Sequence, residues 1–144
     1  MKTKSSQLKK VHFLRLMKDE DILASIIKYC KTENIFSGYV QGIGAVANPS
    51  IGYFDLESKE YLVINKNFNA ELVNCSGNIA LDKKTGELIA HLHMVVGDSN
   101  GQTIGGHVMP DNKISVTGEF IIFETQGKNH RTKDNTFGLM LLDL

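Results

Sequence analysis

The sequence predicts an α+β fold in which a mainly antiparallel β-sheet carries one long amphipathic helix packed on it. Three observations predict this class: one stretch with helical spacing, short β-like runs over the rest of the chain, and turn-forming clusters between the runs. The chain has 144 residues, of which 42% are hydrophobic and 22% charged, which suits one compact domain. We therefore expect a single domain over residues 1–144 with its core at about residues 11–143.

The first two elements are a strand and the helix. Residues 11–17 alternate imperfectly and are rich in side chains that suit a half-buried strand. Acidic side chains at Asp19, Glu20 and Asp21 then stand where a helix N-terminus favours them. An amphipathic helix from residue 19 to about 33 is predicted by apolar positions at helical spacing, namely Ile22, Leu23, Ile26, Ile27 and Cys30.

From residue 37 onward the pattern changes to short β-like runs. The predicted strands cover residues 38–46, 51–56, 61–65, 70–81, 87–96, 103–109, 114–124 and 137–142. Clusters of Gly, Pro, Asn, Asp and Ser separate them at short intervals, which predicts antiparallel hairpins. A single helix among about eight strands most plausibly covers one face of the sheet. The polar stretch 125–136 is predicted to be a basic loop.

Charge and cysteine usage exclude several classes of protein. Sixteen Lys plus Arg balance sixteen Asp plus Glu, so no overall charge attracts the chain to phosphate backbones or anionic membranes. No apolar run approaches the roughly 18 residues of a membrane span, and no signal-peptide core follows the polar start, which predicts a cytoplasmic protein. Cys30 and Cys75 show no close pairing, which predicts two reduced core thiols rather than a disulfide framework.

Three histidines form the pattern with the strongest chemical potential. His91 and His93 are separated by one residue, and His107 follows fourteen residues after His93, directly behind two glycines. Because residues i and i+2 of a strand face the same side, His91 and His93 should project together while Leu92 faces the apolar side.

The turn between the two strands decides whether His107 joins this pair. A three-residue loop at residues 99–101 pairs residues whose numbers sum to 200 and places His107 opposite His93. A two-residue turn at Asn100-Gly101 makes the sum 201 and requires a bulge at Gly105-Gly106 to restore the face. The sequence supplies glycines for either route, so we predict that the three histidines share one face.

Three neutral imidazoles at this distance suit Zn²⁺ or a similar divalent ion, with a fourth position open to water or a ligand. The sequence therefore predicts a divalent-metal site, with zinc as the favoured ion, at His91, His93 and His107. The alternative is three histidines with ordinary hydrogen bonds, because His-x-His on a strand is a weak motif. His12 and His130 have no partner in the sequence, and we interpret both as structural.

Weaker signals could support other chemistry. Glu71 and Glu119 lie in predicted strands, and a carboxylate beside a metal-activated water would be a minimal hydrolytic apparatus. A solvated strand face or an ion pair at an interface is the favoured interpretation of both. No serine or cysteine has a base at motif spacing, which disfavours nucleophilic catalysis. Basic side chains that could contact phosphates, although they are also typical of a solvated loop, are Lys128, Arg131 and Lys133.

Several short motifs occur in one order over nearly the whole chain. They combine glycines with the three histidines and read Gly42-Ile43-Gly44-Ala45-Val46, Gly52-Tyr53-Phe54-Asp55, Lys59-Glu60-Tyr61, Gly77-Asn78-Ile79-Ala80, His91-Leu92-His93, Gly105-Gly106-His107 and Thr117-Gly118-Glu119. In this order and spacing, from about Leu14 to Leu142, the sequence resembles the plants and prokaryotes conserved domain, the PPC domain.

The resemblance implies a single PPC-like domain, an antiparallel sheet with a packed helix, assembled as a homotrimer. It also implies that the three histidines match the metal site of the family. Plant members carry the domain beside AT-hook segments that enter the DNA minor groove, and bacterial single-domain members are described as DNA-binding by that association. This sequence has no Arg-Gly-Arg-Pro element and only two arginines, so a DNA-binding role rests on analogy.

Three functions are open at this point. The favoured one is a homotrimeric, metal-holding regulatory module that binds a small ligand or a protein partner, rather than an enzyme. The second is a DNA-binding or transcription-associated protein that uses the Lys-rich N-terminus and the loop at residues 128–133. The third is a metal-dependent hydrolytic enzyme with Glu71 or Glu119 as the base.

Overall fold

A computed structural model describes all 144 residues, in one helix and ten strands. In chain order the elements are β1 (Leu8–Met17), α1 (Ile22–Thr32), β2 (Gly38–Ala47), β3 (Ser50–Asp55), β4 (Glu60–Asn65), β5 (Asn69–Asp82), β6 (Leu88–Gly97), β7 (Thr103–Val108), β8 (Lys113–Thr125), β9 (His130–Lys133) and β10 (Met140–Asp143). A mostly antiparallel sheet with one helix is the predicted class. The structure confirms it.

All ten strands belong to one sheet. Eight of them follow the order β1-β8-β2-β5-β6-β7-β3-β4, and every neighbouring pair in this path is antiparallel. The other two strands extend it locally, because β9 pairs in parallel with β5 and antiparallel with β10. This topology places β6 and β7 side by side and brings the short β9 to the end of β5.

The helix is short rather than long. It spans 11 residues, Ile22–Thr32, where the sequence predicts residues 19 to about 33. Asp19 has a left-handed backbone with φ 70°, so the chain turns there, and the Asp21 carboxylate then caps the helix by accepting from the Ala24 N–H. The helix stops before Asn34, which is also left-handed with φ 56°. With 11 residues, α1 is too short to span a membrane.

The core lies between α1 and one face of the sheet. Ile22, Ile26 and Cys30 form the buried stripe of the helix and join a single cluster of 21 buried residues. Leu92 belongs to this cluster, and the alternation of a strand therefore turns its neighbours to the opposite face of β6. Both cysteines are free and buried, as predicted, and burial raises the pKa of each thiol to about 12.

The predicted basic loop is wrong at its centre. Within residues 125–136 the chain forms β9, which pairs with β5 and β10, and the last strand begins at Met140 rather than at residue 137. Arg131 in β9 is only 3% exposed, so its guanidinium faces the interior and not the solvent. Pairing with β5, which is distant in sequence, and with the following strand β10 stabilises this polar segment, and no local apolar alternation signals it.

Candidate functional site

The β6–β7 hairpin brings the histidines together in the predicted register. His93 lies opposite His107 and Gly97 opposite Thr103, so paired residue numbers sum to 200. The pairing is continuous from residue 93 to 97, and no bulge at Gly105-Gly106 is needed. The Asp98 carboxylate holds the connecting loop by accepting from the backbone N–H groups of Asn100 and Gln102, both at 2.8 Å.

The imidazole rings of His91, His93 and His107 form a compact cluster on one face. One potential ligand nitrogen from each ring lies within 4.8 Å of the others. The Nε2 atoms of His91 and His93 are 3.3 Å apart. The cluster includes no carboxylate and no thiolate. Three neutral nitrogen donors in this arrangement are a donor set that zinc accepts.

Tyr61 on β4 fixes the orientation of His107. The two rings stack with centroids 4.6 Å apart and an interplanar angle of 26°. Nδ1 of His107 is buried and has no hydrogen-bond partner within the protein. An unpaired buried polar atom is costly, so a missing partner at this position fits a side chain that serves a ligand. Tyr61 belongs to one of the short sequence motifs, but the sequence does not connect it to the histidines, because only the sheet order brings β4 close to β7.

Arg131 contacts the cluster from the other side. Its Nη2 donates to Oδ1 of Asn78 at 2.6 Å and lies 3.2 Å from Nδ1 of His91, while Nη1 donates to the Met140 carbonyl at 2.6 Å. Because a guanidinium only donates, Nδ1 of His91 is the acceptor, and the proton of the neutral ring lies on Nε2. Arg131 is therefore part of the histidine site, which its position in a basic sequence run does not reveal.

The site keeps two of its histidines neutral. Burial lowers the pKa of His91 to about 4, with smaller contributions from Arg131 and His93. Burial likewise lowers the pKa of His107 to about 4, aided by the two other histidines and Arg131. The lone pairs of both rings are therefore available to a cation at neutral pH.

Acidification is expected to destabilise the metal-free protein between about pH 6.5 and pH 4. In this range the unfolded chain protonates His91 and His107 first, because their pKa values fall from 6.5 to about 4 on folding. The free energy of unfolding should therefore decrease as the pH falls. Urea unfolding of metal-free protein at several pH values measures this decrease. A double variant with His91→Gln and His107→Gln should show a smaller one, and an unchanged slope would contradict the assignment.

A cavity of about 200 Å³ opens beside the cluster. His91, His107, Arg131 and Tyr61 line one side of it. The remaining wall is apolar and consists of Ile89, Ala90, Leu139, Met140 and Leu141. No aspartate or glutamate reaches this cavity. The arrangement can hold a cation on the histidines and a small molecule beside it.

Known proteins show the same architecture. The family model of the Plants and Prokaryotes Conserved (PCC) domain, also written PPC, matches residues 3–126. A plant- and prokaryote-conserved (PPC) protein from Pyrococcus horikoshii has 34% sequence identity and a TM-score of 0.89, covering 100% of this chain and 98% of that protein. The chain belongs to the PPC family.

Other proteins with this architecture carry different functional names. A metal-containing protein from Archaeoglobus fulgidus is 27% identical, with a TM-score of 0.90 and all of both chains covered. A candidate DNA-binding protein from Bacteroides thetaiotaomicron is 26% identical, with a TM-score of 0.87 and 96% of each chain covered. The curated relatives are bifunctional GlmU proteins of Synechococcus, 25% identical over 117 residues, and the chain spans only 17% of their length.

The two candidate carboxylates of the PPC domain lie away from the histidines. Glu71 is opposite Gly97, which is four residues, or about 13 Å, along β6 from His93. Glu119 lies on β8, three strand spacings or about 14 Å from β6. Both line a separate surface depression. The structure therefore does not bring either carboxylate to the three histidines.

The remaining candidates occupy other surfaces of the PPC domain. Lys128 and Lys133 are exposed, and Nζ of Lys4 donates to the Lys128 carbonyl at 2.9 Å, so the N-terminal lysines meet this basic segment. His12 is buried between Tyr29 and Glu124, with its ring nitrogens 3.1 and 3.3 Å from their oxygens, which supports a structural role. Lys128 and Lys133 are thus exposed, whereas Arg131 is buried.

Gly77 sets the spacing between β5 and the histidine strand. It lies opposite Leu92, between the pairs Ser76–His93 and Asn78–His91, and a Cβ there would overlap the His91 carbonyl oxygen. We expect Gly77→Ala to cost about 1–3 kcal/mol of unfolding free energy and to weaken metal binding, since the strands must move apart. Gly97→Ala is the control for the loss of a glycine from β6, because a Cβ there meets only ordinary contacts at 3.5 and 3.9 Å. Urea unfolding and zinc titration measure both effects; a Gly77→Ala protein with unchanged zinc affinity would contradict this account.

Proposed function

We propose that this PPC domain is a metal-binding module that holds a divalent ion, zinc in preference, and acts by binding a small ligand or protein partner at that ion. The observation that carries the proposal is the cluster of His91, His93 and His107, whose ligand nitrogens lie within 4.8 Å of one another. A three-histidine set leaves the fourth position of a tetrahedral zinc ion open to an external group.

The donor chemistry supports zinc over the hard cations. Mg²⁺ and Ca²⁺ prefer oxygen ligands, and the cluster contains none. Nδ1 of His107 is buried and has no hydrogen-bond partner in the protein, which also supports ligand binding at this site. The relative from Archaeoglobus fulgidus is described as metal-containing, which agrees with this assignment.

A binding role fits the site better than hydrolysis. A hydrolytic zinc site needs a base near the water that the metal activates. Glu71 and Glu119 lie in a different depression, and no other carboxylate lines the cavity beside the histidines. We therefore assign ligand or partner binding, and no reaction, to this centre.

Assembly as a homotrimer is part of the proposal. Exposed apolar side chains support burial between subunits, including Leu62 and Val63 on β4 at 53% and 49% exposure, and Val116 on β8 at 71%. Light scattering coupled to size exclusion should report three times the chain mass of 16.0 kDa. A single chain mass would contradict the trimer and leave the histidine geometry untouched.

DNA binding is the second candidate. The contact of Lys4 with the Lys128 carbonyl gathers basic side chains on one surface, and the relative from Bacteroides thetaiotaomicron is a candidate DNA-binding protein. Arg131 is buried and does not contribute to that surface. Fluorescence anisotropy with duplex DNA tests this function: binding should fall steeply with salt and weaken in a Lys128→Ala, Lys133→Ala variant. DNA binding that is insensitive both to salt and to the two lysine substitutions would exclude this surface as the DNA-binding site.

Elemental analysis of untagged protein tests the metal proposal. Wild-type protein dialysed without chelator should carry close to one zinc or similar ion per chain. A variant with all three cluster histidines changed to glutamine should carry almost none, and His130→Gln should match the wild type because His130 lies outside the cluster. Metal-free wild-type protein after incubation with zinc, or an unaffected triple variant, would contradict the proposal.

A further inference from the structure

We propose that the cavity beside the three histidines binds a small organic anion, whose carboxylate interacts with the metal and with Arg131 and whose short apolar chain contacts Ile89 and Leu141. This inference rests on the proposed metal site and specifies its ligand. The charge of the site, the unsatisfied groups of Arg131 and the shape of the cavity support it independently.

The charge of the site calls for an anion. Arg131 lines the cavity beside the histidines and carries a permanent positive charge. A divalent ion on the cluster would add two more positive charges, and no carboxylate lines the cavity to balance them. Uncompensated charge in a partly buried site is unfavourable, so an anionic ligand would gain from both cations at once.

Arg131 has donors available for such a ligand. The side chain lines the cavity, is 3% exposed, and has a buried Nε without any hydrogen-bond partner. Metal binding would free Nη2 of Arg131 as a second donor. A cation on Nε2 of His91 requires that lone pair, so the ring proton would lie on Nδ1, which then no longer accepts from Nη2 of Arg131. Carboxylate oxygens accept such guanidinium donors well.

The shape of the cavity limits the size of the anion. Its volume of about 200 Å³ lies below the roughly 300–1,000 Å³ of sites for drug-sized molecules. Its lining combines the cationic groups with apolar side chains, namely Ile89, Leu139, Met140 and Leu141. A ligand with one charged end and a short hydrocarbon chain matches both halves, whereas inorganic phosphate matches only the cationic one.

A depression beside the cavity also carries more basic than acidic side chains. It shares Arg131 and Met140 with the cavity. Its other charged residues are Lys84, Lys133, Asp82 and Lys83, the last of which donates to Asp143 at 2.7 Å. Net positive charge beside a cavity raises the local concentration of anions.

Isothermal titration calorimetry of zinc-loaded protein tests the inference. The probes are isovalerate, the neutral isostere isovaleramide, and inorganic phosphate. Isovalerate should bind at least about tenfold more tightly than isovaleramide, and Arg131→Met should weaken isovalerate binding by about tenfold or more. Arg15→Met is the matched control, because it removes the one other arginine of the chain, which is exposed on β1. It should bind as the wild type does.

The outcomes separate this inference from the metal proposal. Stoichiometric zinc with equal binding of isovalerate and isovaleramide would overturn the anion and leave the metal site intact. Phosphate binding tighter than isovalerate would overturn the organic ligand. If Arg131→Met does not fold, Ile89→Phe provides a second variant that narrows the cavity, and it should weaken isovalerate while retaining zinc. Absence of zinc from the wild type would instead remove the metal proposal, and this inference with it.

Discussion

Replacing His107 by alanine is expected to weaken zinc binding by on the order of 100-fold or more. In the proposed site His107 is one of only three donors, and no carboxylate or thiolate lies in the cluster to replace it. Loss of an outer-shell partner already costs about 10–100-fold in metal affinity, so loss of a ligand should cost at least as much. Competition with a chromogenic chelator measures the dissociation constants of wild-type and variant proteins.

His130→Ala is the matched control for this experiment. His130 begins β9 and lies outside the cluster, so its replacement should leave zinc affinity within about twofold of the wild type. Equal zinc affinity in His107→Ala and the wild type would show that the ion binds elsewhere. A loss of zinc in His130→Ala alone would point to a site that does not involve the β6–β7 hairpin.

Phe120→Ala is expected to give the largest loss of stability, about 3–5 kcal/mol. Phe120 is 1% exposed, and its ring occupies the space above Gly42, where a Cβ would overlap it. Truncation removes this packing and leaves a cavity in the core cluster. Urea unfolding measures the loss of stability. Both proteins are compared at one fixed concentration, so that assembly affects them equally.

Phe137→Ala is the control for the loss of a phenyl ring. Phe137 is 41% exposed and lies outside the core cluster, so its truncation should cost well under 1 kcal/mol. The folded Phe120→Ala protein should still bind zinc, because Phe120 is on β8 and the histidines are on β6 and β7. Similar losses in the two phenylalanine variants would contradict the position of the core.

Local patterns in the sequence account for most of the fold. Alternation on β6 and the glycine-containing turn before β7 determine the register that places His107 opposite His93. The bounds of the helix are harder to predict from the sequence, since they depend on the left-handed backbones of Asp19 and Asn34 and on the capping by Asp21. Strand β9 has no local signal, because its stability comes from pairing with β5 and β10.

The residues of the candidate site were likewise only partly predictable from the sequence. The three histidines were predictable because strand alternation relates His91 to His93 and a glycine-containing hairpin returns His107 beside them. Tyr61 and Arg131 were not, because they reach the cluster from strands distant in sequence and only the sheet order reveals it. The sequence predicts a basic solvated segment around Arg131, whereas the structure places this side chain against His91. Part of the apolar wall of the cavity, Met140 and Leu141, likewise comes from β10, which the sequence relates to no histidine.

Diffraction from crystals of the zinc-loaded protein at the zinc absorption edge tests the metal centre most directly. We predict one anomalous peak per chain, about 2.0–2.1 Å from a nitrogen of each of His91, His93 and His107. A protein that carries zinc but shows its peak elsewhere, or fewer than three histidine nitrogens at bonding distance, would contradict the assignment of this cluster as the metal site.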